Sequence, residues 1–245
     1  MNKKITIIEL VANGTITSDM AAFLWQAVDE KVSFLTSAVY QNAGKTTVTK
    51  AILDLLSSDV PLHYVADTIE VTEKLLKIEP PGGYLIVSEF SAADAPGYIY
   101  GSENVQKIFD LIKNGYSLQG CIHADNGENA ISSLQAENGL ADEDVSKINM
   151  VVHLDMFGTN FENVQRRLTE IYEVHYVENS KVFGHPIYLW NDKTDSFDYV
   201  SDPHNFARDK DLIKKRKVII DSLVGFGKAT SEDISKAVEE FNRHR

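Results

Sequence analysis

The chain is 245 residues long and 43% apolar, which suits one sizeable globular core or one core with a small appendage. With 36 acidic against 24 basic residues its formal net charge is -12, which argues against sequence-tolerant binding to nucleic acid. Cys121 is the sole cysteine, so an internal disulfide and a cysteine-built zinc site are both excluded. The first ten residues lack the continuous apolar stretch of a signal peptide. No run approaches the roughly 18 apolar residues of a membrane span, and a reducing, cytoplasmic location is expected by default. All six arginines fall at or after Arg166, so lysine alone carries positive charge before that point.

In chain order, residues 5–11 are apolar and run into an Asn13-Gly14 turn signal. Thr17, Ser18 and Asp19 can cap a helix through Lys31, with Met20, Phe23, Leu24, Ala27 and Val28 on one face. Val32 to Val39 reads as a buried strand, Thr46 to Leu56 as a helix, and Pro61 to Val65 as a strand. Tyr84 to Val87 is a further strand after the Pro80-Pro81-Gly82-Gly83 breaker. A helix over Glu103–Asn114, a strand over Ser117–His123, a helix over Glu128–Glu137 and a strand over Met150–Leu154 follow. Strands at Glu170–Val177 and Ile187–Trp190 come next, the second leading into the polar turn Asn191–Asp195. Buried strands alternating with helices predict an α/β fold with a largely parallel central sheet over residues 1–202. Two amphipathic helices, Asp209–Leu223 and Ser231–Arg245, predict a small helical appendage over 203–245. Lys210, Lys214, Lys215, Arg216 and Lys217 form a basic cluster there, which could meet an anionic membrane surface or a partner but more often is the solvated face of a helix.

The segment with most chemical content is Gln41-Asn42-Ala43-Gly44-Lys45-Thr46-Thr47, between a predicted strand and a predicted helix. That is the context of a phosphate loop. Backbone N–H groups wrap the phosphates, Lys45 reaches the β/γ oxygens, and the Thr46 hydroxyl can ligate Mg²⁺. The full pattern asks for glycine where Val39 stands, and many loops carry one at Asn42. Asn tolerates a left-handed backbone, whereas a β-branched Val resists it. On these residues alone, a phosphate loop and an ordinary strand–turn–helix with a Gly-Lys-Thr-Thr cap both remain open.

Taken together, several segments resemble the ATPases of type II and type IV secretion systems, type IV pili and conjugation machines, most nearly the VirB11-like and Flp-pilus subgroup. Leu10 to Thr47 resembles the helix–strand–Walker A segment, and Val65 to Val71 the acidic box. Tyr84 to Phe90 is similar to the Walker B strand, Gly120 to Ala124 to the histidine box, and Arg166 to Ile171 to a late Arg-Arg-x-Thr-Glu-Ile strand entry. The order holds over roughly residues 5–200 and is more specific than any one motif. The resemblance implies a RecA-like P-loop core that binds ATP with Mg²⁺, without the family's separate N-terminal domain. It implies Glu89 as the residue that polarises water or completes the Mg²⁺ shell, and His123 as a γ-phosphate sensor. It also places acidic residues, Asp67 and Glu70, near the nucleotide. If residues 65–71 are extended, those two carboxylates face opposite sides and cannot share one metal without a bend. A homo-oligomeric ring, possibly six-membered in that family's manner, or co-assembly with related ATPase subunits is implied as well. The setting would be inner-membrane secretion or pilus machinery.

Four departures weigh against catalysis: Val39, Ala66 where the family has Glu, Ser88 where it has Gly, and the absence of arginine between acidic box and Walker B. An arginine supplied to a phosphoryl-transfer site can be worth ~10³–10⁵ in rate, and lysine does not reproduce its planar fork. Arg166 and Arg167 are the candidates within the core, a trans-acting role and a surface role being equally open. The expected function is a nucleotide-binding subunit of such a machine, with hydrolysis in question. The alternative is a degenerate structural or regulatory subunit, and a small P-loop kinase ranks last. The remaining histidines, His63, His153, His175, His185, His204 and His244, show no metal-ligand spacing and read as incidental.

Overall fold

Phe34–Ala38 is buried along its whole length and forms β1, the strand on which the molecule is organised. A strand buried on both faces must sit inside a sheet that is covered on both sides. Its neighbours are β6 (Ser117–His123) and β7 (Met150–Phe157), both parallel to it. Beyond β6 lie β3 (Tyr84–Val87) and β2 (Leu62–Tyr64), again parallel. On the other side β8 (Gln165–Glu178), β9 (Lys181–Asn191) and β10 (Ser196–Tyr199) continue the sheet in antiparallel fashion. The result is an eight-stranded sheet in the order β10-β9-β8-β7-β1-β6-β3-β2, with a two-stranded sheet of β4 (Glu89–Phe90) and β5 (Tyr98–Ile99) beside it. This computed structural model describes residues 4–65, 68–158, 164–227 and 229–244.

Alternation along the central strands sorts their side chains onto two apolar layers. Phe34, Tyr84, Ile86, Met150, Val152 and Leu154 pack on α1 (Ile7–Ala12), α2 (Ser18–Asp29) and α3 (Lys45–Leu53). Leu35, Leu85, Val87 and Val151 face α5 (Ser102–Lys113) and α6 (Gly127–Asn138), with α4 (Thr68–Leu75) and the short α7 (Asp142–Val145) alongside. One polar chain crosses the first layer. Thr36 Oγ1 and Thr49 Oγ1 are 2.8 Å apart, and the Gln119 amide donates to Thr49 at 3.3 Å, pinning α3 to the sheet. Cys121 lies in the same place, and burial pushes its thiol up to about 11, so it is an inert packing group.

The predicted strands and helices reappear with three differences. Residues 68–71 are helical rather than extended; α4 begins at Thr68, with Thr72 and Leu75 buried at a helical interval and Glu70 paired with Lys74 one turn on. β8 and β9 are longer than their apolar centres, because exposed and half-buried residues flank the buried ones. They meet at Asn179-Ser180, both with positive φ (53° and 58°), the geometry of a two-residue hairpin turn. β10, beyond the expected polar turn, carries mostly exposed residues and so gives no apolar signal.

The chain ends in α8 (Lys210–Gly225) and α9 (Ser231–Arg243), capped by Asp209 and Thr230. Their apolar residues Ile220, Ile234 and Val238 belong to the same layer as α1 and α2. Within the predicted basic cluster, Arg216 is not solvated. It is 0% exposed, donates to Asp29 Oδ2 at 2.7 Å, and lies over the rings of Trp25 and Phe241. Cutting Arg216 to Ala leaves Asp29 without its guanidinium and opens a void between two aromatic rings. Urea unfolding of Arg216→Ala is expected to show a loss of about 3–5 kcal/mol. Arg216→Met, which fills the void but also removes the guanidinium from Asp29, is expected to recover only part of that loss.

Candidate functional site

Between the end of β1 and the start of α3 the backbone turns through two left-handed residues, Asn42 (φ 62°) and Gly44 (φ 104°). Asn is the side-chain residue best suited to that region, and Gly44 stands as the helix N-cap. No side chain caps the helix, so the first amides of α3 are left without a capping acceptor. Val39 does not adopt positive φ, which removes the backbone objection to it. Val39 and Tyr40 are 39% and 60% exposed and neither lines the cleft in front of the loop.

Lys45 is buried beneath this turn, 8% exposed, and meets two groups from other strands. Its Nζ lies 3.1 Å from Glu89 Oε1 and 3.0 Å from His123 Nε2, while His123 Nε2 is 3.0 Å from the same Glu89 oxygen. His123 Nδ1 sits 3.1 Å and 3.0 Å from the carbonyls of Ala38 and Val39, so a proton on Nδ1 is held by the backbone. That leaves Nε2 as the acceptor for the ammonium. The chain reaches this arrangement because β3 ends at Val87 and breaks away at Ser88, turning Glu89 onto β4, while β6 is in register with β1 so that His123 stands opposite Ala38. The Lys45–Glu89 pair is close but misaligned. Glu89 Oε1 is buried and accepts no hydrogen bond. A buried carboxylate oxygen in that state is short of a donor or a cation.

The adjacent arginines of β8 part company. Arg167 is 8% exposed and makes a bidentate pair with Asp195, Nε–Oδ1 and Nη2–Oδ2 both 2.7 Å. Trp190 Nε1 donates to Asp195 Oδ1 as well, at 2.9 Å. Arg166 turns the other way and donates to the Asn42 carbonyl at 3.2 Å. Its side chain lies over the loop closely enough that a Cβ built on Gly44 would come within 3.3 Å of Arg166 Cδ.

These groups surround one open cleft of about 800 Å³, a size that accommodates a nucleotide. Gln41, Asn42, Ala43, Gly44, Lys45, Thr46 and Thr47 all line it, as do Glu89, His123, Arg166 and Arg167. Glu70 does not; it sits exposed on α4. Asp67 and Ala66 lie outside the described residues. Four further wall residues, Asn13, Thr15, Ser91 and Tyr98, had no chemical signal in the sequence. The Asn13-Gly14 turn could be read as a turn but not as a wall, since Thr15 reaches the cleft only because its carbonyl accepts Leu168 N from β8 at 2.9 Å.

The architecture is a RecA-like α/β fold: the strand before the Gly44 turn is separated by one parallel strand from the strand that leads to Glu89. No protein-family model matches the chain. The uncharacterized protein MJ1287 of Methanocaldococcus jannaschii is 23% identical over 236 residues, covering 88% of this chain and 86% of that protein. Among solved structures, the VirB11 ATPase of the Brucella suis type IV secretion system, in complex with sulphate, is 18% identical with a TM-score of 0.47 over 71% of this chain. The ATPases DotB of Yersinia pseudotuberculosis and of Legionella pneumophila are each 10% identical, with TM-scores of 0.46 and 0.47 over 94% and 97% of this chain. The chain spans 57% to 62% of the length of these three structures, and the reading of the site rests on its own geometry.

The guanidinium of Arg167, with help from Trp190, lowers the Asp195 carboxyl from its ordinary 3.8 to about 2. A depressed acid contributes stability above its unfolded pKa and loses it as pH falls through the folded one, here between about pH 4 and pH 2. Carboxylate NMR titration is expected to place Asp195 near 2 in the wild type and to move it up toward 3.8 in Arg167→Ala, where only the Trp190 hydrogen bond still lowers it. An unshifted midpoint in the variant would mean that the pair does not hold in solution.

Proposed function

We propose that the cleft binds ATP with Mg²⁺ and that the chain is a nucleotide-binding subunit related to the motor ATPases of type II/IV secretion, pilus assembly or conjugation. The observation that carries this is the uncapped, glycine-opened start of α3 with Lys45, Glu89 and His123 gathered beneath it. Amides of residues 42–47 would hold the phosphates, and Lys45 would neutralise the β/γ oxygens. Thr46, exposed on the cleft wall, would hold Mg²⁺, and the unsatisfied oxygen of Glu89 is suited to a water in its shell. When bound, Mg²⁺ supplies charge neutralisation across the phosphate oxygens. His123 can pass its Nε2 contact from Lys45 to a ligand oxygen without gaining permanent charge only if its proton moves to Nε2. That suits a group that reports occupancy rather than one that drives chemistry. Arg166 would supply the planar fork that lysine cannot, from the same chain.

A second reading, a structural or regulatory subunit without turnover, is favoured by one observation. Of the two arginines lining the cleft, Arg167 is committed to Asp195, which leaves Arg166 to serve the developing charge alone. Calorimetric titration with Mg-ATP is expected to give binding that weakens at least tenfold, about 1.4 kcal/mol, in Lys45→Ala. Equal binding by both proteins removes the phosphate-loop reading. On the same samples, turnover abolished by Glu89→Gln supports the motor reading, and a wild-type rate no faster than buffer leaves the non-catalytic one.

The ring-forming habit and the place at the inner face of a membrane are supported by the motif order over residues 5–200. Among the described residues no helix is long and apolar enough to cross a membrane. Light scattering with Mg-ATP is expected to give an oligomer; a monomer at every concentration would remove that part of the proposal.

A further inference from the structure

Far along β8 from the arginines, three histidines separated by 10 and 19 positions come together. His175 is on β8, His185 on β9, and His204 in the connector between β10 and α8. Ring centroids are 4.6 Å apart for His175–His204, 4.7 Å for His175–His185 and 4.8 Å for His185–His204. One nitrogen from each lies within 4.8 Å of the others. Local backbone features produce the grouping. Val174 pairs with Gly184 and Tyr176 with Phe183, so His175 is the extra residue of a β-bulge, a device that re-aims a side chain. Gly184 lets the strands close up, since a Cβ there would stand 2.2 Å from the Glu173 carbonyl oxygen.

Glu173 is 0% exposed beside the rings. Its two oxygens accept the backbone N–H groups of His204 (2.8 Å) and Asn205 (2.7 Å), which fixes the connector on the sheet. Glu173 Oε2 also lies 3.4 Å from His175 Nε2 and 3.6 Å from His185 Nε2. His185 Nε2 is 3.1 Å from the Asp202 carbonyl; donating there leaves the Nδ1 lone pair free. A histidine held at one nitrogen by a carbonyl or carboxylate, with the other nitrogen bare, is how metal-ligating imidazoles are oriented. His175 Nε2 is buried and has no hydrogen-bond partner. Three rings this close, with a buried nitrogen of His175 left bare beside a buried carboxylate, form a ready pocket for a cation.

We propose that His175, His185 and His204 form a site for one divalent late first-row metal ion, Zn²⁺ being the probe, with Glu173 supplying counter-charge beneath it. Three imidazoles with a fourth position open to water is a common zinc geometry, and it needs ligand nitrogens about 3.3 Å apart at Zn–N distances of about 2.0–2.1 Å. The approach required is supplied by His204, which is exposed in an irregular segment and can rotate toward the other two. The ion would clamp the connector, and with it α8, to the edge of the sheet that Glu173 already holds.

The test uses the full chain with any histidine tag removed and bound metal stripped by a chelator. Zn²⁺ titration is expected to give one ion per chain, with a raised thermal midpoint. Co²⁺ is expected to give the visible spectrum of a four- or five-coordinate nitrogen site. Both are expected to disappear in His204→Ala and in His185→Gln and to persist in His244→Ala, which removes a distant exposed histidine. Uptake is also expected to fall as pH drops through about 6.5, where imidazoles protonate. A metal-free thermal midpoint unchanged in His204→Ala establishes that this variant is folded. Failure to take up one equivalent, or uptake undiminished in His204→Ala and His185→Gln, overturns the proposal. So does Co²⁺ binding with an octahedral all-oxygen spectrum.

Discussion

A buried ammonium cannot stand alone: its desolvation costs several kcal/mol unless opposite charge or acceptors lie against it. Lys45 is in that position, and the two groups that meet it arrive on β4 and β6. For both to reach the same point, the order β1-β6-β3 must be correct, β6 must be in register with β1, and β3 must break at Ser88. The central topology and the cleft are therefore one constraint seen at two scales. The incomplete alignment at Glu89 follows from the same cause. Three polar groups meet at one point, and Glu89 Oε1 is left there without a hydrogen bond.

The parts of the fold that were legible in the sequence are those whose burial is two-sided. β3 is a continuous apolar run, β1 and β6 are buried runs rich in apolar residues, and the loop from Gln41 to Thr47 is identifiable because Gly44 and Lys45 stand between such a strand and a helix. The illegible parts depend on partners distant in sequence. β10 is half exposed and owes its existence to β9. α4 was masked by a β-branched stretch whose burial against α5 only tertiary packing decides. Arg216 looked like one more charge on a solvated face, and nothing local announces Asp29, Trp25 and Phe241 around it. Spacing gives no sign that His175, His185 and His204 lie together, because a hairpin and its following connector bring the three rings into contact.

α1, α2 and α3 share an apolar layer with α8 and α9, and this ties the cleft to the C-terminal helices. α3 begins at the Gly44 turn; just past its far end, Ser57 and Ser58 are held by Glu239 of α9 through Ser57 Oγ (3.1 Å), Ser58 N (2.9 Å) and Ser58 Oγ (2.8 Å). Glu30, just past α2, accepts Ala207 N at 2.8 Å. A helix of nine residues is only about 13 Å long. A displacement at its first turn has little length over which to be absorbed before it reaches α9.

Arg166 and Arg167 are consecutive on a strand and so leave it on opposite faces. The bidentate grip of Asp195 sets the rotation of β8 about its own axis at that point, and this in turn decides where Arg166 is aimed. Asp195, in a hairpin turn on the far face, thereby acts as the anchor that keeps the Arg166 side chain lying across Gly44.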